Sequence, residues 1–138
     1  MTKNELRQLY HINREILDIK DRIAELQGDY IKATRMSHDN ARPSGTSDKV
    51  GELACRIADL HTLYTVKLQE LYLKKAQIER FIDTIEDAET RLILRLRHIN
   101  CLTWEQIGYE IHCDGSWARR KYNKLASVLI RQENQKQM

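Results

Sequence analysis

Leu102-Thr-Trp-Glu-Gln-Ile-Gly-Tyr-Glu-Ile111, His112-Cys-Asp-Gly115 and Ser116-Trp-Ala-Arg-Arg-Lys-Tyr-Asn-Lys-Leu-Ala-Ser-Val-Leu129 follow one another without a gap, and the fold reading turns on them. The first piece predicts a short helix, because Trp104, Ile107 and Ile111 fall at i, i+3 and i+7 and share one face. Thr103 stands where an N-cap is needed, and Gln106, three residues on, completes a capping box. The next four residues break the period. A second helix is expected from Ser116, where Ala118, Tyr122, Leu125 and Leu129 recur at steps of four, three and four as one buried stripe.

A short helix, a tight turn and a second helix with a basic outer face make the helix-turn-helix plan. Gly108 suits it, since a residue without a side chain lets the next helix cross closely. The outward positions of the second helix are Ser116, Arg119, Arg120, Asn123 and Lys124. Arginine and lysine neutralise phosphates or bind guanine edges, and asparagine suits adenine. Trp117 reads as packing at the domain rim or against sugar-phosphate. From Gly115 to the end six cations stand against Glu133 alone, a net of +5, whereas the whole chain carries +3. The rest of the chain is therefore slightly acidic, and positive charge gathers where a DNA reader needs it.

Upstream, Asp87-Ala-Glu-Thr-Arg-Leu-Ile-Leu-Arg-Leu-Arg-His98 precedes Leu102-Thr-Trp-Glu-Gln-Ile-Gly108 and the basic helix. This order resembles the C-terminal promoter-reading module of bacterial sigma factors. It resembles more closely the small phage-encoded regulators of late transcription that share that module. In those proteins a helix ending in Leu-Arg-(Tyr/His) precedes a Trp-Glu-(Glu/Gln)-Ile-(Ala/Gly) helix. The string Arg42-Pro-Ser-Gly-Thr-Ser-Asp-Lys-Val-Gly51 is similar to theirs as well, so the resemblance spans roughly two thirds of the chain.

The sequence departs from that pattern at His112, where the turn usually has glycine. It departs at Lys121, where a second aliphatic residue is usual and Tyr122 takes that role. Gly115 and Ser116 stand where sigma modules carry charged base readers. The resemblance implies a phage or prophage transcription regulator that binds double-stranded DNA and activates late genes in the bacterial host cytoplasm. RNA polymerase is a further candidate partner.

The rest of the chain reads as a helical hairpin. Thr2-Lys-Asn-Glu5 is a capping box that starts a helix. Leu9, Ile12, Ile16, Ile19, Ile23, Leu26 and Tyr30 then alternate steps of three and four, a heptad seam narrow enough to need a partner helix. Ser37 to Ser47 holds the chain's only proline among turn-forming residues and predicts a connecting loop over 37–47. Within it Arg42 is a candidate contact to phosphate or protein, against the plainer reading of a hairpin connection.

A second helix, capped by Ser47 or Asp48, presents Val50, Leu53, Ile57, Leu60, Tyr64, Leu68, Leu71, Lys75, Ile78, Ile82 and Ile85, with a stutter at Tyr64. At 1.5 Å per residue, some 35 helical residues would extend about 50 Å. Leu63, Val66, Leu73 and Phe81 lie off this stripe and point to self-association as a homodimer or higher homo-oligomer. A further helix, capped by Asp83 or Thr84, is expected to cover the next two with Leu92, Leu96 and Ile99. On it Arg91 and Arg95, with Lys121 on the last helix, are candidate clamps on the phosphate backbone.

Composition agrees with an all-α protein: one proline, five glycines and 31% charged residues. No apolar run approaches the roughly 18 residues of a membrane span, and the first residues lack the apolar core of a signal peptide. Three widely spaced cysteines fit a reducing cytoplasm. His98, Cys101, His112 and Cys113 are metal-ligand types without the paired spacing of a zinc site, and read as a small buried cysteine and two surface histidines. No phosphate loop, nucleophile elbow or His-Glu-x-x-His occurs, so neither an enzyme nor a cofactor is expected.

The expected architecture is an antiparallel helical hairpin over 1–82 for oligomerisation and a sigma-like helix-turn-helix domain over 83–138. Two rivals share these features. One is a small terminase-like packaging subunit, which forms a large ring. The other is an interaction module that contacts RNA polymerase and hardly touches DNA.

Overall fold

The structure, a computed structural model, describes residues 1–39 and 46–137. Among them all regular structure is helical: α1 Lys3–Asp39, α2 Thr46–Asp83, α3 Ala88–Leu94, α4 Trp104–Glu110 and α5 Gly115–Lys136, with a π-helical turn Arg95–Ile99 continuing α3. Of the loop expected over 37–47, residues 37–39 belong to α1 and 46–47 to α2, and the rest lies outside the described residues. Arg42 lies outside the described residues.

The chain forms two compact units. One joins Met1–Ile12 to Leu71–Met138; the other is Asn13–Glu70. In the second unit Ile16, Ile19, Ile23 and Leu53 are buried, as their heptad positions require. Lys67 binds Glu15 at 2.6 Å, and the Lys20 ammonium lies 5.8 Å from the Tyr64 ring. As numbers rise along α1 they fall along α2, so these segments run antiparallel. The hydrogen bond that Lys67 donates to Glu15, then that to Glu70, raises its pKa. At this exposure the pair contributes little to stability. Leu17, Ile31, Leu63 and Val66 leave 42–53% of their surface exposed.

The first unit has its own core: Leu6 and Leu9 from α1, Ile78 and Ile82 from α2, Ile93 and Leu94 from α3, Ile107 from α4, and Ala118, Tyr122 and Leu129 from α5. The start of α1 is fixed by its capping box, with Thr2 N donating to Glu5 Oε2 at 2.6 Å and Glu5 N to Thr2 Oγ1 at 2.9 Å. Leu6, Leu9, Ile78 and Ile82 thus share one core with the helices that follow residue 83.

Three local expectations are corrected. The cap of α3 is Asp87, which accepts from Thr90 N at 3.2 Å and from the Thr90 hydroxyl, whereas Thr84 donates its hydroxyl to Phe81 O at 2.6 Å. Leu92 is 47% exposed, while Ile93 and Leu94 are buried. Asn100 N donates to Arg95 O at 3.0 Å, so the turn closes over one extra residue and a uniform helical period drawn through Leu92 slips out of phase. Finally, Phe81 packs against the core and does not widen an exposed face.

Candidate nucleic-acid interface

The segment from Thr103 to Leu129 is built as its sequence dictates. Thr103 N donates to Gln106 Oε1 at 3.0 Å and Gln106 N to Thr103 Oγ1 at 3.3 Å, closing the expected box at the start of α4. Cys113 N donates to Gly108 O at 2.9 Å, and His112 turns the chain with a φ of 56°. That left-handed conformation is one that glycine adopts more readily than a residue with a β-carbon. A Cβ on Gly108 would sit 2.7 Å from Cys113 O and from Gly115 N, and one on Gly115 would sit 2.6 Å from Trp104 O. Both glycines are needed for so close a crossing.

Asp114 anchors the start of α5, accepting from the Ser116 hydroxyl at 2.7 Å and from Ser116 N at 3.4 Å. The first of these bonds chiefly holds its carboxyl below the usual range. The helix is then seated by Ala118, Tyr122, Ala126 and Leu129, all buried, with Leu125 partly so. Ser116, Arg119, Arg120, Asn123 and Lys124 are exposed on its other side, and Trp117 is 36% exposed. Arg120 Nε donates to Ser116 O at 3.4 Å. Among the described residues no carboxylate lies within ion-pair reach of Arg119, Arg120 or Lys124.

The three phosphate-clamp candidates stand differently. Arg91 Nη1 donates to Ile85 O at 2.6 Å and Glu86 O at 2.8 Å, tying the α2–α3 break together. Arg95 pairs with Asp83 at 2.9 Å. Lys121 pairs with Asp87 at 3.1 Å and with Glu89, and its ammonium lies 5.1 Å from the Trp117 ring. The hydrogen bond with Glu89 is the main reason its pKa is raised. On the other side, the Thr90 hydroxyl first and Lys121 second lower Asp87 to about 2.

His98 is 5% exposed, not a surface histidine. Its Nε2 shares a 3.2 Å hydrogen bond with the Tyr122 hydroxyl, and burial, reinforced by the nearby Arg97 charge, pushes its pKa down to about 4. Burial also raises the Tyr122 phenol. Of the other metal-ligand types, Cys101 is half-buried while His112 and Cys113 are exposed. No group of three or more His, Cys, Asp or Glu side chains comes together for a metal among the described residues.

Beside α5 lies a cleft of roughly 460 Å³, within the first unit, where Arg119 and Asn123 meet Lys3, Arg7, Tyr10 and His11 of α1 with Arg97 and Trp104. Sequence reasoning missed the α1 residues. Their signal was present, since Lys3, Arg7 and His11 recur every four residues, but nothing local says what that face adjoins.

The chain belongs to the family described as "Protein of unknown function (DUF722)", which it matches over residues 18–131. No curated protein and no solved structure matches it. No helix among the described residues is long and apolar enough to cross a membrane.

Proposed function

We propose that this protein binds double-stranded DNA sequence-specifically, as a phage or prophage transcription regulator that activates late genes in the bacterial cytoplasm. In this reading α4 and α5 form a sigma-like helix-turn-helix with α5 as the recognition helix. One observation carries the proposal: α5 is seated by one apolar stripe while Arg119, Arg120, Asn123 and Lys124 are exposed together on its other side. Cations and an amide on one helical face are the groups that meet phosphates and base edges in a major groove. Arg91, Arg95 and Lys121 are secondary candidates, because each already has a partner within the chain.

The protein acts by binding, without catalysis or cofactor, and it self-associates through the exposed apolar side chains of the Asn13–Glu70 unit. Exposed leucine, isoleucine and valine on both helices of that unit favour a second copy as the cover. RNA polymerase is a candidate second partner.

The test is titration of duplex fragments from the surrounding genome at several salt concentrations, with molar mass measured by light scattering. Specific binding by a dimer or tetramer, with affinity falling steeply as salt rises, is the expected result. A large closed ring would replace the regulator with a packaging role. Weak binding indifferent to salt would replace the DNA face with a protein-contacting one.

A further inference from the structure

We propose that the cleft beside α5 seats the phosphate backbone of the bound DNA, so that Lys3 and Arg7 of α1 belong to the DNA interface. This rests on the DNA-binding reading above and extends it to an element outside the helix-turn-helix.

The lining charges are the first argument. Lys3, Arg7, Arg97 and Arg119 converge there, and no described residue lining the cleft is acidic. Neither Arg7 nor Arg119 has an ion pair among the described residues. Like charges held around one hollow repel one another, and a polyanion relieves that repulsion while releasing its own counterions.

Continuity is the second. Arg119 and Asn123 lie on the exposed side of α5 and also line the cleft, so a backbone leaving the recognition helix reaches the cleft without crossing a gap. Pre-organisation is the third. Arg97 lies with its guanidinium 4.6 Å from the Trp104 ring centre and donates Nη1 to Leu102 O at 2.9 Å. The Lys3 ammonium sits 5.9 Å from the Tyr122 ring. Cations held this way lose little freedom when a phosphate arrives.

The experiment uses the full chain and a duplex fragment it binds, comparing wild type with the Lys3→Gln/Arg7→Gln double variant. A Lys32→Gln/Arg35→Gln control removes the same charge from an exposed stretch of α1 outside this unit. Circular dichroism establishes that each variant is folded. Two lost phosphate contacts should lower the slope of log affinity against log salt by about 2 and weaken specific and non-specific DNA alike, roughly tenfold or more. The control should keep the wild-type slope, and Arg7→Lys should restore part of the loss.

An unchanged slope in the double variant, or an equal fall in the control, overturns the proposal while leaving DNA binding intact. Tight binding of inorganic tripolyphosphate to the wild type, with no effect of Lys3 and Arg7 on DNA, would make the cleft a small-ligand site and overturn it too. If the wild type binds no DNA, the reading beneath it fails first.

Discussion

Gly108 and Gly115 stand so close that a Cβ on the first would lie 2.7 Å from the amide nitrogen of the second. The neighbour is backbone, which cannot swing aside as the end of a flexible side chain would. Gly108→Ala must therefore push α4 and α5 apart. Overpacking of this kind costs about 1–3 kcal/mol, to be read as a lower urea midpoint. DNA affinity should fall with it, because α5 moves on its seat. A variant as stable as wild type would mean the crossing is looser than this geometry.

His112 holds a φ of 56°, where a β-carbon is crowded. His112→Gly removes that crowding but adds freedom to the unfolded chain, so it should be neutral or stabilising by up to about 1 kcal/mol. His112→Val, β-branched and poorly suited to this conformation, should destabilise. Thermal melts of the three proteins should rank Gly at or above His, and His above Val.

The buried pair His98 and Tyr122 makes stability depend on pH. Folding lowers the His98 pKa from the ordinary 6.5 to about 4, so between these values the unfolded chain binds a proton that the folded chain refuses. Stability is fully present above pH 6.5, falls as the solution is acidified and levels off below about 4, a loss on the order of 3 kcal/mol from this group. His98→Phe should flatten that part of the profile in urea titrations run from pH 7 to 4. A slope unchanged by the substitution would assign it to other groups.

Lys121 and Lys124 are three residues apart on α5 yet should behave differently toward DNA. Lys121 is paired with Asp87 and Glu89, whereas no carboxylate is within ion-pair reach of Lys124 among the described residues. Lys124→Ala should lower the salt slope by about 1. Lys121→Ala should leave it nearly unchanged, since its charge is already balanced within the fold. Equal effects would show that the Lys121 pairs open on binding.

Much of the fold was legible because it is written in local periodicity. The heptad seam from Leu9 through Ile23, both capping boxes and the stripe from Ala118 to Leu129 all fall where spacing puts them. The errors fall where distant packing or an irregular turn decides. Leu92 is exposed because Thr90, Ile93 and Leu94 take the buried face of α3, and no composition signal announces the extra residue in the turn that follows them. His98 looked like a surface residue because its partner Tyr122 is 24 residues away.

The candidate site was half legible for the same reason. The outward residues of α5 follow from one helix's period, and so does their freedom from packing. That Lys121 and Arg95 are neutralised, and that Lys3 and Arg7 join Arg119 at one cleft, depends on which segments meet.

Selection of bound duplexes from a random-sequence pool, run in parallel with wild type and Arg119→Ala, tests the central claim most directly. Wild type should enrich a defined site. The variant should bind it about 1–3 kcal/mol more weakly and tolerate other bases at one position. A pool that stays random with wild type, or a site preference that Arg119→Ala leaves untouched, would contradict α5 as the helix that reads DNA.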